Sequence, residues 1–374
     1  MVGDYAPPRP NRFEIDMAAI AHNLGQIRAL VGTSTKIIAA LKGDGYGFGL
    51  IPVARTMVQH GADMIALADI AEAASVRLEG IELPILLYAG NPFDADAVQA
   101  MVAYDLMPTV LDITGAETLS TQAQGPIRCF VKVDVGLERL GTLPMQAVAL
   151  VEAVTQLPKL ELAGLYAHMD VPDGHGVEDY IDWQWQAFDG VCSQLKSVGI
   201  QIPLRLLSSS AVLRFSSAFN LDAVDPGHLL FGLTPAGPVK LDIDLQPAFV
   251  ALSSRLIHTR MVERTEFIDF SPISLRPGDR FGVIPFGLRD GISALTCGEV
   301  LVRGKRVPIA GSFCMEHTRI DLSLIPDASV GDEVVLIGRQ GSEAITLREV
   351  TDSQNAPAIM PALSVGRGVQ RVLR

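Results

Sequence analysis

Lys42 is the residue whose position in the sequence points most directly to chemistry. It follows an apolar run at residues 37–40, and four of the seven residues after it are glycines. The run is typical of a short buried strand that the glycines end. Because an unpartnered buried ammonium is costly, Lys42 either extends to water or has a lowered pKa and forms a Schiff base with a carbonyl group. In the second case the glycines would let a cofactor approach the backbone, and Tyr46 would offer its hydroxyl to a phosphate.

Polar or glycine-rich groups follow four further apolar runs. They stand at residues 132–134, 168–170, 208–210 and 225–228. In a barrel of parallel strands the functional residues lie at the carboxyl ends of the strands, so these groups and Lys42 would converge at one end. Because polar residues are common at the end of any strand, one such group is only weak evidence for a functional site. Groups at five strand ends with barrel spacing together indicate a functional site.

The elements that must position these groups alternate between strands and helices. Positions 20, 24, 27 and 30 are apolar at helical spacing, and apolar runs at 64–67, 83–88, 129–133, 162–166 and 204–207 are separated by helical patterns. This alternation predicts right-handed crossovers and parallel strands. Roughly eight such units fit before residue 240, which is the size of a (β/α)8 TIM barrel.

The pattern changes after about residue 245. Alternating segments punctuated by Gly and Pro lie at 262–269, 280–285, 299–302, 306–310 and 333–337, with a hairpin turn expected at Gly304 and Lys305. These segments predict a mainly antiparallel β domain. We therefore expect a barrel domain at residues 12–240 and a β domain formed by residues 1–11 and 241–374.

The amino-acid composition limits the kinds of partner and compartment that we expect for this protein. The 374 residues are 48% hydrophobic and 19% charged, which supports a sizeable core, and the net charge of −12 argues against nucleic acid or an anionic membrane as partner. No apolar stretch is long enough to span a bilayer, and the first residues lack the pattern of a signal peptide. The four cysteines are widely spread without a CxxC pair, which favours reduced thiols in a cytoplasmic protein over disulfides or a metal site.

The segment from Lys42 to Gly49 resembles the cofactor-lysine segment of the alanine racemases, Lys-Ala-x-Ala-Tyr-Gly-His-Gly. Lysine, tyrosine and two glycines are in register, and Phe48 replaces the family histidine. These are fold-type III enzymes that use pyridoxal 5'-phosphate (PLP). The resemblance implies that Lys42 holds PLP and that Tyr46 binds its phosphate.

The other strand-end groups resemble further motifs of the family. Residues 131–141 are similar to Lys-x-Asp-Thr-Gly-Met-x-Arg-Leu-Gly, which implies a carbamylated lysine at Lys132 that orients Arg139 toward the cofactor and the substrate carboxylate. Residues 164–168 resemble Gly-x-x-x-His, whose histidine packs against the pyridine ring. Residues 210–211 and 225–232 resemble the phosphate-binding motifs Ser-Ala and Arg-Pro-Gly-x-x-x-Tyr-Gly. The residues implied are His168, Ser210, Gly227 and His228.

The resemblance continues through residues 285–291 and 311–316 of the β domain, where Met315 is implied as a substrate contact. The departures from the family lie at chemically important positions. Asp225 stands where the family has an arginine beside the pyridine nitrogen, and a carboxylate there would keep that nitrogen protonated and strengthen the electron sink. The catalytic tyrosine of the second domain is replaced at or near Asp269, and the tyrosine of Pro-x-Gly-Tyr is Leu288.

We interpret the protein as an alanine-racemase-like, PLP-dependent racemase or epimerase that acts at the Cα of an amino acid with an altered mechanism or substrate. Its catalytic residues would be Lys42, Arg139 and Asp269. Two alternatives remain open. One is a lyase such as an aldolase acting on a β-hydroxy amino acid, and the other is a non-catalytic PLP-holding protein. We expect no metal; if the protein were an aldolase, Cys314, Glu316 and His317 would be the candidate ligands. The resemblance implies a head-to-tail homodimer in which the β domain of one subunit covers the barrel mouth of the other.

Overall fold

The computed structural model describes residues 9–88, 92, 94–172, 174–234, 241–264, 266 and 275–374. The chain divides into two compact units. One unit is Ala18–Gln246, and the other combines Met1–Met17 with Pro247–Arg374. The sequence predicts boundaries at residues 12 and 240. The first falls later because strand β1 (Arg12–Ile15) is hydrogen-bonded to strands of the second unit.

The described part of the first unit forms a closed barrel of eight parallel strands. Its strands are β2 (Lys36–Ala40), β3 (Met64–Leu67), β4 (Ile85–Leu87), β5 (Leu106–Val110), β6 (Ile127–Val133), β7 (Leu160–Ala167), β8 (Arg205–Ser209) and β9 (Ala223–Asp225). Alternate residues of these strands, among them Ile38, Leu86, Phe130 and Leu206, form the buried interior. Closure pairs the first barrel strand with the last, since Lys36 of β2 lies opposite Ala223 of β9.

One helix precedes the barrel strands and others connect them. They are α1 (Met17–Val31), α3 (Leu50–Gln59), α4 (Ile70–Leu78), α5 (Ala95–Ala103), α6 (Ile113–Gln122), α7 (Pro144–Gln156) and α8 (Val177–Ser197), with a one-turn element α2 (Lys42–Tyr46) directly after β2. Asp69, Asp94 and Asp112 cap α4, α5 and α6, each accepting a backbone N–H from the first turn. No helix in the described residues is long and apolar enough to cross a membrane.

The second unit is mainly antiparallel in its described residues. Besides β1, its strands are β10 (Phe249–Arg255), β11 (His258–Met261), β12 (Arg280–Ile284), β13 (Glu299–Val302), β14 (Lys305–Pro308), β15 (Thr318–Asp321), β16 (Glu333–Gln340), β17 (Glu343–Ile345) and β18 (Gln370–Leu373). One sheet has the strand order β14-β13-β16-β10-β1-β18, with β17 paired to β16, and a smaller sheet has the order β11-β12-β15. Helices α9 (Leu347–Gln354) and α10 (Met360–Ser364) complete the unit.

The predicted fold class is therefore confirmed, with local differences. The hairpin turn lies at Arg303 and Gly304, because Val302 pairs directly with Lys305. The strand expected at 262–269 is not found in its described residues, since β11 ends at Met261. Helix α5 was not predicted.

Candidate active site

The carboxyl ends of the barrel strands surround a cavity of about 440 Å³. This is a size typical of sites for small molecules. Its lining residues are Ala40, Lys42, Tyr46, Ala68, Tyr88, Lys132, Arg139, Leu140, Tyr166, His168, Ser209, Ser210, Ala211, Asp225, Gly227 and His228. The strand-end groups noted in the sequence thus converge on one cavity.

A left-handed turn carries Lys42 into this cavity. Gly43, Asp44 and Gly45 have φ values of +67°, +54° and +61°, and Tyr46 follows at +56°. Non-glycine residues rarely adopt this conformation, so contacts must hold it. Glu72 of α4 accepts hydrogen bonds from the backbone N–H groups of Gly43 at 3.3 Å and Asp44 at 2.6 Å. The Asp44 carboxylate in turn accepts the N–H of Leu50 at 2.8 Å, which joins the turn to α3.

The electrostatics around Lys42 favour a reactive amine. Burial lowers the pKa of the Lys42 ammonium, the Asp225 carboxylate opposes this shift, and Arg139 adds to it. The Nζ atom lies 5.4 Å from the centroid of the Tyr88 ring. A partly desolvated lysine with a lowered pKa holds a larger neutral fraction near pH 7, as a nucleophile or general base requires.

Asp225 ends β9 and is buried in the cavity wall. Its Oδ2 accepts a hydrogen bond from the Tyr88 hydroxyl at 2.5 Å. Burial raises the pKa of the Asp225 carboxyl to about 6, although the Tyr88 hydrogen bond and the charges of Lys42 and Lys132 lower it. The carboxyl is thus mostly ionised at neutral pH despite its burial.

Hydroxyl groups gather around Gly227. The Ser210 Oγ accepts the backbone N–H groups of Gly227 at 2.9 Å and Leu229 at 3.4 Å, so its own proton is left to donate. A Cβ added to Gly227 would lie 2.4 Å from the Tyr46 hydroxyl oxygen. The Tyr46 ring also meets the His228 ring edge-on, with centroids 5.4 Å apart. Glycine at 227 is what allows the phenol to come this close.

The loop after β6 presents Arg139. The Asp134 carboxylate accepts the N–H groups of Gly136, Glu138 and Arg139, which folds the loop, and the Arg139 residue is exposed. Lys132, on β6 itself, is buried, and burial together with Arg139 lowers its pKa to about 8. A guanidinium held at the cavity is suited to a substrate carboxylate.

His168 lies at the end of β7 among these cations. Burial, together with the positive charges of Lys42, Lys132 and Arg139, lowers its pKa to about 3. The imidazole is therefore neutral at physiological pH, which suits it to contact a ring rather than to carry charge.

Comparison with known proteins identifies the family. A family model described as alanine racemase, N-terminal domain, matches residues 15–235, and one described as alanine racemase, C-terminal domain, matches residues 249–373. The chain belongs to the alanine racemase family. This membership confirms the family resemblance drawn from the motifs, and it favours a racemase of the isomerase class over a lyase or a PLP carrier.

Known alanine racemases are similar to this family member over almost its whole length. The alanine racemase of Halothermothrix orenii is 33% identical over 350 residues, which cover 92% of this chain and 91% of that protein. The solved structure of alanine racemase from Bacillus anthracis with bound L-Ala-P has a TM-score of 0.89 at 27% identity and covers 99% of this chain and 96% of its own. The structure from Clostridium difficile 630 has a TM-score of 0.88 at 25% identity, covering 99% and 97%.

Most of the predicted site residues lie together at the cavity. They are Lys42, Tyr46, Lys132, Arg139, His168, Ser210, Asp225, Gly227 and His228. Met315 lies in the β unit with 67% of its surface exposed, and it does not line the barrel cavity. Asp269 lies outside the described residues.

Sequence reasoning missed Tyr88, Tyr166 and Glu72. Tyr88 follows β4 and Tyr166 lies on β7, so both counted as parts of apolar strands. The Tyr166 hydroxyl is 2.8 Å from the Thr109 Oγ1, which itself donates to the Leu87 carbonyl, so Tyr166 is the donor. A tyrosine at a barrel strand end was a signal available in the sequence.

Two departures from the family motifs contact each other. Phe48 replaces the motif histidine, and Phe231 replaces the tyrosine of the motif at residues 225–232. Both side chains are fully buried, and their rings stack with centroids 4.5 Å apart and an interplanar angle of 9°. This apolar pair joins the lysine segment to the segment that carries Gly227 and His228.

Proposed function

We propose that this protein is a PLP-dependent amino-acid racemase that holds its cofactor through Lys42, with alanine as the first substrate to test. The observation that carries the proposal is the position of Lys42 in the barrel cavity, which Ser210, Tyr46 and Asp225 also line. The names of the relatives, and the L-Ala-P bound to one of them, support alanine.

The residues present fit PLP. Ser210 has a hydroxyl proton left to donate, and the Tyr46 hydroxyl lies beside Gly227, so these groups would hold the phosphate. Burial raises the pKa of Tyr46 well above its usual value, so its hydroxyl stays a donor. Lys42, Lys132 and Arg139 face one buried carboxylate, and this positive excess suits a ligand pair carrying a phosphate and a carboxylate.

The chain's own residues then divide the work. When bound, PLP supplies an electron sink for the electron pair left at Cα as its proton is removed. Lys42, with its lowered pKa, would take or return the Cα proton on one face. Arg139 would hold the substrate carboxylate, and neutral His168 would pack against the pyridine ring.

Asp225 would change the protonation of the pyridine nitrogen of PLP relative to other members of the family. Its carboxylate would pair with the pyridine nitrogen and favour the protonated nitrogen, whereas the family arginine cannot give up its own proton and leaves that nitrogen unprotonated. We therefore propose that Asp225 strengthens the electron sink. Asp225→Arg would restore the family residue and weaken it.

A racemase also needs a proton donor on the opposite face of Cα. We propose Asp269 for this role, supplied by the second subunit of a head-to-tail homodimer, with Met315 as a substrate contact. Large apolar side chains exposed on the β unit, Met315 at 67% and Leu288 at 46%, support an interface there. Sedimentation at micromolar concentration should give a dimer, and a fully active monomer would contradict this part.

A cytoplasmic location is part of the same proposal. All four cysteines lie in the described part of the chain as free thiols, and burial raises the pKa of Cys129 to about 12. Unpaired thiols are typical of a reducing compartment.

Incubation of the pure, PLP-loaded enzyme with L- and D-amino acids, followed by chiral chromatography, tests the function. Racemization of alanine is expected, whereas release of an aldehyde from β-hydroxy amino acids would identify a lyase. Borohydride should fix the cofactor to Lys42. Lys42→Ala should lose this attachment, and Lys36→Ala, at the other end of the same strand, should keep it. A reducible chromophore that survives in Lys42→Ala would refute the assignment.

A further inference from the structure

Tyr88 makes a contact that the family motifs do not explain. It directly follows β4, and its hydroxyl reaches Oδ2 of Asp225 on β9 at 2.5 Å. Around the closed barrel, β9 is followed by β2, β3 and then β4. Strands β4 and β9 are therefore separated by two others, β2 and β3. The hydrogen bond therefore crosses the strand-end face of the barrel rather than joining neighbouring strands.

The Tyr88 side chain is held at two points. Its hydroxyl contacts the carboxylate of Asp225, and its ring face lies 5.4 Å from the Lys42 Nζ. The ring also packs on Tyr166 with centroids 5.9 Å apart. A side chain fixed at both its face and its hydroxyl defines where the acceptor oxygen must lie.

The proton of this hydrogen bond belongs to the tyrosine. Burial and the neighbouring Asp225 raise the pKa of the Tyr88 hydroxyl well above its usual value, whereas that of Asp225 is about 6. At neutral pH the contact is thus a short O–H donor to a carboxylate, which is among the stronger hydrogen bonds in proteins.

We propose that Tyr88 is a positioning residue that holds the Asp225 carboxylate ionised and in one orientation at the cavity. This inference rests on the proposed function, in which Asp225 pairs with the pyridine nitrogen. With one oxygen bound to Tyr88, the carboxylate cannot rotate freely, so its remaining lone pairs keep one direction. Asp225, which departs from the family motif, and Tyr88 then act as one unit.

The other charged and titratable groups near Asp225 stay the same when the Tyr88 hydroxyl is removed. They are Lys42 and Tyr46 of α2, Lys132 of β6, Arg139 of the following loop, Tyr166 and His168 at the end of β7, and His228 after β9. A change in the titration of Asp225 in Tyr88→Phe therefore reports the loss of one hydrogen bond.

The experiment follows the Asp225 carboxyl by isotope-edited infrared titration of the PLP-free protein, with Asp225→Asn to identify the band. A hydrogen bond to a charged acceptor contributes enough that Tyr88→Phe should raise the apparent pKa by about one to two units. Tyr166→Phe is the matched control, because it removes a hydroxyl from the same cavity that donates to Thr109 instead. It should leave the Asp225 titration nearly unchanged.

A second variant provides an independent test if Tyr88→Phe does not fold. Replacing Tyr88 by 3-fluorotyrosine keeps the ring and makes the hydroxyl a stronger donor, so the Asp225 titration should move to lower pH. In the loaded protein, the pH transition of the visible spectrum should shift in the same directions as the carboxyl titration.

An unmoved Asp225 titration in Tyr88→Phe, or an equal shift in Tyr166→Phe, would overturn the positioning role. That result leaves the proposed function standing if PLP still binds to Lys42. Conversely, a protein that binds no PLP would refute the proposed function. The infrared titration of the PLP-free protein would still show whether Tyr88 lowers the pKa of the Asp225 carboxyl.

Discussion

The stacked pair of Phe48 and Phe231 offers a quantitative test of how this chain departs from its family. Both rings are fully buried, with centroids 4.5 Å apart. Phe48→His restores the motif histidine, but it replaces a stacked ring by a polar one and should cost about 2–4 kcal/mol, the sum of a lost aromatic pair and an unsatisfied buried group. Phe231→Tyr restores the motif tyrosine and should cost about 1–3 kcal/mol, because it buries a hydroxyl.

The double variant is the informative one. With both changes present, the tyrosine hydroxyl and the imidazole can hydrogen-bond to each other, so each satisfies the other. The combined loss should then be smaller than the sum of the single losses by about 1–3 kcal/mol. Phe48→Leu is the control for the ring alone, since it keeps an apolar side chain and should cost less than about 1.5 kcal/mol.

Urea unfolding of all four variants measures these differences, at one protein concentration because of the proposed dimer. Strictly additive losses would show that the two positions are independent and would refute the pairwise reasoning. A Phe48→His variant as stable as the parent would show that the buried environment tolerates a polar ring.

Three further predictions concern the cavity and its supports. Burial raises the pKa of Asp225 from 3.8 to about 6, so its contribution to stability is fully present only below pH 3.8 and is lost as the pH rises through 6. The stability of PLP-free Asp225→Asn relative to the parent, measured in urea titrations, should therefore increase by about 2 kcal/mol from pH 4 to pH 7. Glu72→Gln should weaken PLP binding by loosening the left-handed turn, measured by fluorescence titration, whereas Glu79→Gln, which removes only a surface ion pair, should not. Gly227→Ala should raise the dissociation constant of PLP at least tenfold, an effect of about 1.4 kcal/mol, because the new Cβ would lie 2.4 Å from a phenol oxygen, while Gly190→Ala meets nothing within 4 Å and should bind normally; equal affinities would contradict this reasoning.

Much of the part of the site that lies in the barrel could be predicted from the sequence. Lys42, Ser210 and Asp225 were predicted because parallel barrel strands bring their carboxyl ends to one face, so order along the chain was enough. Tyr88 was missed because an aromatic residue at the end of an apolar run reads as core. Its bond to Asp225 joins positions 137 residues apart, a distance at which no local pattern operates.

The backbone around Lys42 shows a second limit. The glycines at 43, 45, 47 and 49 indicated a turn, but not its handedness through Asp44. That conformation depends on Glu72, which belongs to the next helix of the barrel and accepts two backbone N–H groups of the turn. Conformations held by tertiary contacts of this kind lie beyond the reach of propensity.

The pairing of β2 with β9 has a consequence for the growing chain. Lys42 emerges early in synthesis, whereas Asp225 and the segment around Gly227 emerge only with the last barrel strand, which pairs with β2 at Lys36 and Ile37. Until that strand arrives, the Lys42 amine has neither its carboxylate neighbour nor the walls that desolvate it. A nascent or truncated chain therefore carries an ordinary lysine, and an aldehyde that reacts selectively with Lys42 would report that the barrel has closed.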